Sequence, residues 1–319
     1  MQSPHRPAAP VPEAVRSALI AALLRDVHPS VRAWDPVGAQ QGVEARAETE
    51  LRRCSDPEFA AGFARSVPVA GATPDDYLQR LIELPGGHFA LVGIRFKGLD
   101  REWAFVDLVA ATAPWAEVRD ALLVRLPTLY PRFAPGWLRV FLPVGEPGVG
   151  VVRPDLRQIA GPLAALHARP LPAGFDRMVV HAARDLAWRD DYDALYRQFH
   201  REAPELRDEV LPSEPADLSD CVHADQLWLA SVDGEWAGVV GARPEADGAL
   251  RGWCVVEEIL GRGFRGRGLG AALQRHLIAR LPAEGLLHGT IHPSNIASLR
   301  VAARCGREDV GGWWFVRAR

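Results

Sequence analysis

The sequence predicts an α/β fold, with a mixed central sheet flanked by helices in the C-terminal half and a helical plus α/β N-terminal half. Three observations point to it. Trp253-Cys-Val-Val-Glu-Glu-Ile-Leu260 is apolar and β-branched and stops at a glycine cluster, the pattern of a buried strand. After Gly268, Leu269, Ala272, Leu273, His276, Leu277 and Arg280 recur at helical spacing until Pro282 ends the run. The order strand, strand, helix, strand over residues 235–290 also occurs over residues 87–143.

Taken in order, residues 1–12 are rich in Pro and Ala and are expected to be disordered. Residues 13–26 place Val15, Leu19, Ala22 and Leu23 on one stripe of an amphipathic helix. Further helices are predicted at 43–54, 57–66 and 74–84, the last two with Pro57 and Pro74 near their first turns. Residues 89–96 and 102–109 read as strands joined by Lys97-Gly-Leu-Asp100, before a helix over 115–126 and a strand over 137–142. This half reads either as a degenerate copy of the other, with Ala110-Ala-Thr-Ala-Pro-Trp115 in place of a glycine loop, or as a generic α/β cap.

Residues 161–175 hold three prolines and two glycines and are the predicted linker, so the expected domains are 1–170 and 171–319. A strand at 178–181 and a helix at 189–202, with Leu195, Tyr196 and Phe199 on its apolar face, come next. Residues 203–220 are acidic and broken by prolines. Strands at 227–232 and 235–241 meet at Asp233-Gly234, a strong hairpin signal. Strands at 251–260 and 286–291, a helix at 295–305 and a strand at 313–316 complete the order.

A length of 319 residues allows one or two domains. A composition 48% hydrophobic and 24% charged supports an ordinary globular core. The net charge of −3 argues against a field for nucleic acid. Lys97 is the single lysine, against 36 arginines, a bias that accompanies 26 prolines and reads as genomic base composition. Cys54, Cys221, Cys254 and Cys305 form no Cys-x-x-Cys pair, so neither a zinc site nor a disulfide framework is expected. The apolar stretch 18–24 is too short for a membrane span, and no basic n-region or cleavage site marks a secretory signal. A cytoplasmic protein is expected, with no metal, nucleic-acid or membrane partner.

Gly261-Arg-Gly-Phe-Arg-Gly-Arg-Gly-Leu-Gly270 lies between the strand and the helix. A helix N-terminus presents unpaired N–H groups and a partial positive charge, and glycines let an anion approach the backbone. Arg262, Arg265 and Arg267 add donors matched to phosphate oxygens. The Arg-x-x-Gly-x-Gly pattern is weak by itself, since composition alone gives roughly 0.3 chance matches, and an arginine-rich surface loop is the alternative. No Gly-Lys-Ser/Thr follows, and no acidic ribose ligand appears at the spacing of a dinucleotide site.

Arg265-Gly-Arg-Gly268-Leu-Gly270, with Asn295, Ser298 and Gly306 downstream, resembles the GNAT superfamily of N-acetyltransferases. The resemblance covers roughly residues 176–319. It implies a GNAT-like sheet and acetyl-CoA as cosubstrate. The pyrophosphate would lie on Arg265, Gly266, Arg267, Gly268, Leu269, Gly270 and Ala271. Pantetheine would lie between splayed strands 253–260 and 286–291, near the backbone of Ile259 and Leu260. Asn295 and Ser298 are expected at the cofactor, with helix capping as the other role for Asn295.

Acetyl transfer to an amine needs a base, because an alkylammonium has a pKa near 10. Glu257 and Glu258 precede the loop and alternate faces of their strand. Glu258, sharing parity with Val256 and Leu260, is the first catalytic candidate, with Glu257 as the neighbouring carboxylate and His292 as the second choice. Their alternatives are solvent-facing or arginine-paired carboxylates and a satisfied loop histidine. Where the resemblance implies a tyrosine seven residues after Asn295, this chain has Ala302. Ser298, Cys305, Tyr192, Tyr196 or water would then protonate the leaving thiolate. The acidic residues 203–220 either wall an acceptor site, favouring a cationic amine, or form a solvated loop.

The expected function is an acetyl-CoA-dependent N-acetyltransferase acting on a primary amine, from a small molecule or a protein N-terminus. The alternatives are a non-catalytic acyl-CoA-binding sensor and a two-lobed GNAT-like acyl or aminoacyl transferase. A homodimer through the Trp313-Trp314 strand as an edge is a further expectation.

Overall fold

The computed structural model describes residues 11–145 and 150–317. The Pro/Ala-rich stretch expected to be disordered falls, as far as residue 10, outside the described residues. The chain divides into two compact units, one of residues 1–32, 36–155 and 311–319, the other of residues 33–35 and 156–310.

The first unit opens with α1 (Glu13–Asp26), α2 (Pro29–Trp34), α3 (Pro36–Arg52) and α4 (Pro57–Ser66). The Asp56 carboxylate caps α4, accepting from the N–H groups of Glu58 (2.9 Å) and Phe59 (3.0 Å). Then come β1 (Arg80–Leu84), β2 (His88–Phe96), β3 (Ala104–Ala111), α5 (Trp115–Leu129) and β4 (Trp137–Leu142). The predicted helix over 74–84 is corrected: Pro74–Tyr77 forms one 3-10 turn, and Arg80–Leu84 pairs antiparallel with β2 along its whole length. A partner strand decided that conformation, and propensity does not reveal partners. Strands β2 and β3 are antiparallel, while β3 and β4 are parallel with α5 as their crossover. Val118, Leu122 and Leu126 of α5 pack with Val92, Val106 and Leu138 on one face. Leu19 of α1 and Leu51 of α3 cover Leu91, Val109 and Ala110 on the other.

The remaining elements are β5 (Arg153–Pro162), α6 (Leu163–His167), β6 (Met178–Ala182), α7 (Arg189–Glu202), α8 (Pro215–His223), β7 (Leu227–Val232), β8 (Glu235–Asp247), β9 (Leu250–Leu260), α9 (Leu269–Ile278), β10 (Leu286–Ile291), α10 (Ile296–Cys305) and β11 (Glu308–Arg317). In the second unit the strand order is β5-β10-β9-β8-β7-β6. Strands β9 and β10 are parallel, with α9 between them in the chain, and the other pairs are antiparallel. Asp233 and Gly234 take the positive φ values, 52° and 86°, that the tight β7–β8 turn requires. The acidic stretch is not all loop: Pro215 opens α8 at the position where its missing N–H costs nothing.

The strand that completes each sheet comes from a distant part of the chain. β5 follows β4 in sequence but pairs with β10, and β11 follows α10 in sequence but pairs with β4. Each unit therefore has antiparallel strands, a helical crossover to a parallel strand, and one antiparallel strand beyond it. The expected division at 170/171 lies inside the second unit, and residues 311–317 belong to the first. The Phe315 carbonyl of β11 also accepts from Val152 N–H (3.0 Å), so this strand is not the open edge expected of it. No helix of the described residues is long and apolar enough to cross a membrane.

Candidate functional site

The site begins where two parallel strands part. β9 and β10 pair at three positions: Gly252 with Leu286, Trp253 with Leu287, and Cys254 with His288. Gly252 permits the close start, since a Cβ there would lie 2.2 Å from the Leu286 carbonyl oxygen. Further along, β9 stays with β8 up to Leu260, and β10 stays with β5 up to Ile291. The final residues of β9 thus leave their β10-facing backbone groups without a ladder partner from that strand.

A β-bulge sets the side chains in this gap. Gly241 of β8 pairs with Glu257 and Ala242 with Val255, which leaves Val256 as the extra residue of β9. Val256 and Ile259 pack with Tyr192, Leu195 and Tyr196 of α7, the face to which Glu257 also turns. Trp253, Val255 and Leu260 pack against α9, and Glu258 faces that side. The expected parity is corrected accordingly: Glu258 shares a face with Leu260 but not with Val256.

A cavity follows the splay, lined by Glu258, Ile259 and Leu260 of β9, Arg265, Gly270 and Leu273 around the start of α9, and Asn295, Ala297, Ser298 and Val301 at the start of α10. Tyr196 and Phe199 of α7 and Val210 close it. Six of the sequence-predicted residues meet in this lining besides Glu258: Ile259, Leu260, Arg265, Gly270, Asn295 and Ser298. Gly266, Arg267 and Leu269 complete the loop and the start of α9, while Gly268 and Ala271 line a second cavity beside it.

Glu258 accepts from Gln274 Nε2 at 2.6 Å, and Arg307 Nη2 lies 4.0 Å away. Burial pushes its carboxyl above the ordinary carboxylate range, against the opposing pull of Arg307 and Gln274. Gln274 is fully buried and Arg307 nearly so. The sequence did not single out either residue, although a glutamine in an apolar helix pattern is itself a signal of a polar partner.

Glu257 has a different environment. Its carboxylate accepts from the hydroxyls of Tyr192, Tyr196 (2.9 Å) and Ser213 (3.2 Å) and from the Glu258 N–H (2.9 Å). Burial raises its pKa, and the four donors oppose the rise. Burial also raises both tyrosines, with the Glu257 charge as the next cause, so their hydroxyls remain donors. Glu257 therefore fastens α7 and the Ser213 segment to β9 and does not line the cavity. His292, also outside the lining, is buried with Nε2 3.6 Å from Glu209 Oε2, and its Nδ1 accepts from Ser294 N–H (3.3 Å).

The loop itself is preorganised for an anion. Gly266 and Gly268 have φ of 73° and 80°, conformations that favour glycine. No side chain caps the N-terminus of α9. A Cβ on Gly270 would lie 2.7 Å from Val301 Cγ2, so this glycine lets α9 and α10 pack closely. Arg265 Nε donates to the Leu260 carbonyl at 2.6 Å and Nη1 to Glu202 at 3.1 Å, while its buried Nη2 has no hydrogen-bond partner. Burial lowers the Arg265 pKa. An anion in the cavity would satisfy both the orphan donor and the desolvated charge. Arg262 also pairs with Glu202, at 3.2 Å, so it is engaged on α7. Asn295 Oδ1 accepts from Ser298 N–H (3.2 Å) and caps α10. Ala302 is buried, with no hydroxyl of its own to offer. No group of three or more His, Cys, Asp or Glu among the described residues is placed to hold a metal ion.

The profile of the acetyltransferase (GNAT) family matches residues 184–306. No curated protein matches the chain in sequence. Among solved structures, the chain is similar to a GCN5-related N-acetyltransferase from Sphaerobacter thermophilus, at 17% identity and a TM-score of 0.53, over 98% of this chain and 95% of that one. A GCN5-related N-acetyltransferase from Kribbella flavida is 18% identical with a TM-score of 0.43, over 82% of this chain and 95% of that one. A tandem GNAT protein from the clavulanic acid biosynthesis pathway is 15% identical with a TM-score of 0.43, over 83% and 96%. The splayed strands, the glycine–arginine loop and the profile coincide in one stretch of chain: residues 184–306 form a GNAT-family acetyltransferase domain.

Proposed function

We propose that the protein is an N-acetyltransferase that takes acetyl-CoA as cosubstrate and acetylates a primary amine. The observation that carries this reading is the cavity beside the end of β9, with a partly buried carboxylate, Glu258, at its wall and the start of α9 at its rim. Backbone groups of β9 left by β10 suit the amide groups of pantetheine. The N–H groups at the start of α9 suit a pyrophosphate. Alignment of thioester and amine in such a gap supplies part of the rate, up to roughly 7–11 kcal/mol in the best intramolecular cases. Glu258, with its pKa raised by burial, accepts the proton of the attacking amine. Tyr196 and Ser298 both line the same cavity and are the candidates on this chain to protonate the leaving thiolate in place of Ala302. The acceptor is a small-molecule amine or a protein N-terminus.

Isothermal titration with acetyl-CoA, followed by free-thiol release against a panel of amines, tests this. Micromolar binding with thiol release is expected. Binding without release on any amine would favour the non-catalytic acyl-CoA sensor, the reading to which the buried Ala302 lends weight. No binding would end both.

A further inference from the structure

Two buried polar side chains meet one oxygen of Glu258. Gln274 of α9 donates through Nε2 to Glu258 Oε2 at 2.6 Å, and Arg307, between α10 and β11, brings Nη2 to 4.0 Å from the same atom. Gln274 is fully buried and Arg307 is 5% exposed. The Glu258 side chain keeps 19% of its surface exposed and lines the cavity. Its second oxygen, Oε1, has no hydrogen-bond donor among the described residues.

Packing does not explain either partner. Gln274 Oε1 and Arg307 Nε are buried without a hydrogen-bond partner. A buried polar atom left unsatisfied costs stability that an apolar side chain would not. The Arg307 guanidinium stays charged, and Glu258 is its one carboxylate partner among the described residues. Cys254 and Cys305, the other groups beside it that could carry negative charge, are thiols pushed up to about 12 by burial. A buried cation with one anion in reach favours the ionised form of that anion.

The remaining groups around Glu258 do not share this role. Glu257, its neighbour, turns to α7 and has its own donors. β8 places Val240 opposite Glu258, and β10 has parted from β9 by this point. Across the cavity, Tyr196 gives its hydroxyl to Glu257, and Arg265 is engaged by the Leu260 carbonyl and Glu202. We propose that Gln274 and Arg307 are positioning residues for the base: they fix Oε2 and hold the carboxylate ionised, which leaves Oε1 as the atom that takes the proton. This rests on the reading of Glu258 as the base. In the step it serves, the amine nitrogen bonds to the acyl carbon and its proton passes to Glu258 Oε1. The carbon–sulfur bond breaks, and its electron pair leaves on sulfur.

The test is infrared titration of the full-length protein in heavy water, which needs no acceptor. Wild type, R307Q and R307K are each measured against the same protein carrying E258Q, so that the difference isolates the Glu258 carboxyl. R307Q should move its midpoint up by about one pH unit or more, the effect of removing an opposite charge at this range. R307K keeps the charge and should move it less. The pH–rate limb of acetyl transfer should move with the midpoint, so that kcat of R307Q recovers at high pH. Thermal unfolding checks that the variants are folded. If R307Q is not, Q274L carries the test: loss of the close donor should raise the midpoint and lower kcat about tenfold at unchanged KM for acetyl-CoA. An unmoved midpoint in the folded variant overturns the proposal, as does an equal shift in R307K, which would make the role one of shape and not of charge. A pH–rate limb that persists in E258Q removes the base assignment beneath it, whatever the titration gives.

Discussion

At the scale of single residues, the consequence of a β-bulge is that two adjacent glutamates do different work. Glu257 is enclosed by three hydroxyls and an N–H, whereas Glu258 lines the cavity with one close donor and a distant arginine. Because burial raises the Glu258 pKa, the ionised base forms later on the pH scale than for a free carboxylate. A rate limited by that base should rise with pH through the raised value. Glu258→Gln should remove that limb and lower kcat at pH 7 by about 10²-fold or more, typical of a lost general base; an unchanged pH–rate profile would place the base elsewhere. Gly268 has φ of 80° with open space around its Cβ position, so Gly268→Glu adds strain and a negative charge at the anion site but no clash. Acetyl-CoA binding should be lost in calorimetry while the protein stays folded.

The elements around the site are held by the same buried groups. Glu257→Ala leaves the hydroxyls of Tyr192 and Tyr196 without their shared acceptor, while Ser213 keeps the Val256 carbonyl at 2.9 Å. The loss should be about 3 kcal/mol in denaturant unfolding, from unsatisfied buried donors. The pH sign follows from the raised Glu257 pKa. A carboxyl whose folded pKa exceeds its unfolded value of about 4.3 contributes stability below that value and loses it as pH rises through the folded pKa. Wild type should therefore lose stability relative to Glu257→Gln as pH is raised from about 4.3 upward, measured as the difference in unfolding free energy. A constant difference would mean that Glu257 titrates as it does in the unfolded chain. The elements of the C-terminal half were legible because local signals agreed: Asp233-Gly234 for the hairpin, helical spacing after Gly268, and Asn295 as the cap of α10. The bulge at Val256 was not, because alternation in sequence assumes an unbroken ladder. Nor was β1, whose conformation depends on β2 beside it.

At the scale of the whole molecule, the chain order and the sheet order disagree. A fragment of residues 171–319 would lack β5, which covers the antiparallel side of β10, and would carry β11 without β4. An uncovered strand edge invites association. The fragment should unfold without a cooperative transition or aggregate, in thermal melts by circular dichroism and in sedimentation, whereas the full chain should melt cooperatively; a cooperative, monomeric fragment would show β5 to be dispensable. The sequence by itself determined the fold class, the glycine–arginine loop and most residues of the cavity beside it, because backbone conformation at glycines and the N-terminus of a helix are local properties. Only the tertiary structure decided which strand closes which sheet, which glutamate reaches the cavity, and that Gln274 and Arg307 converge on that glutamate. Those depend on pairings between residues far apart in the chain, and no local pattern encodes a partner's position.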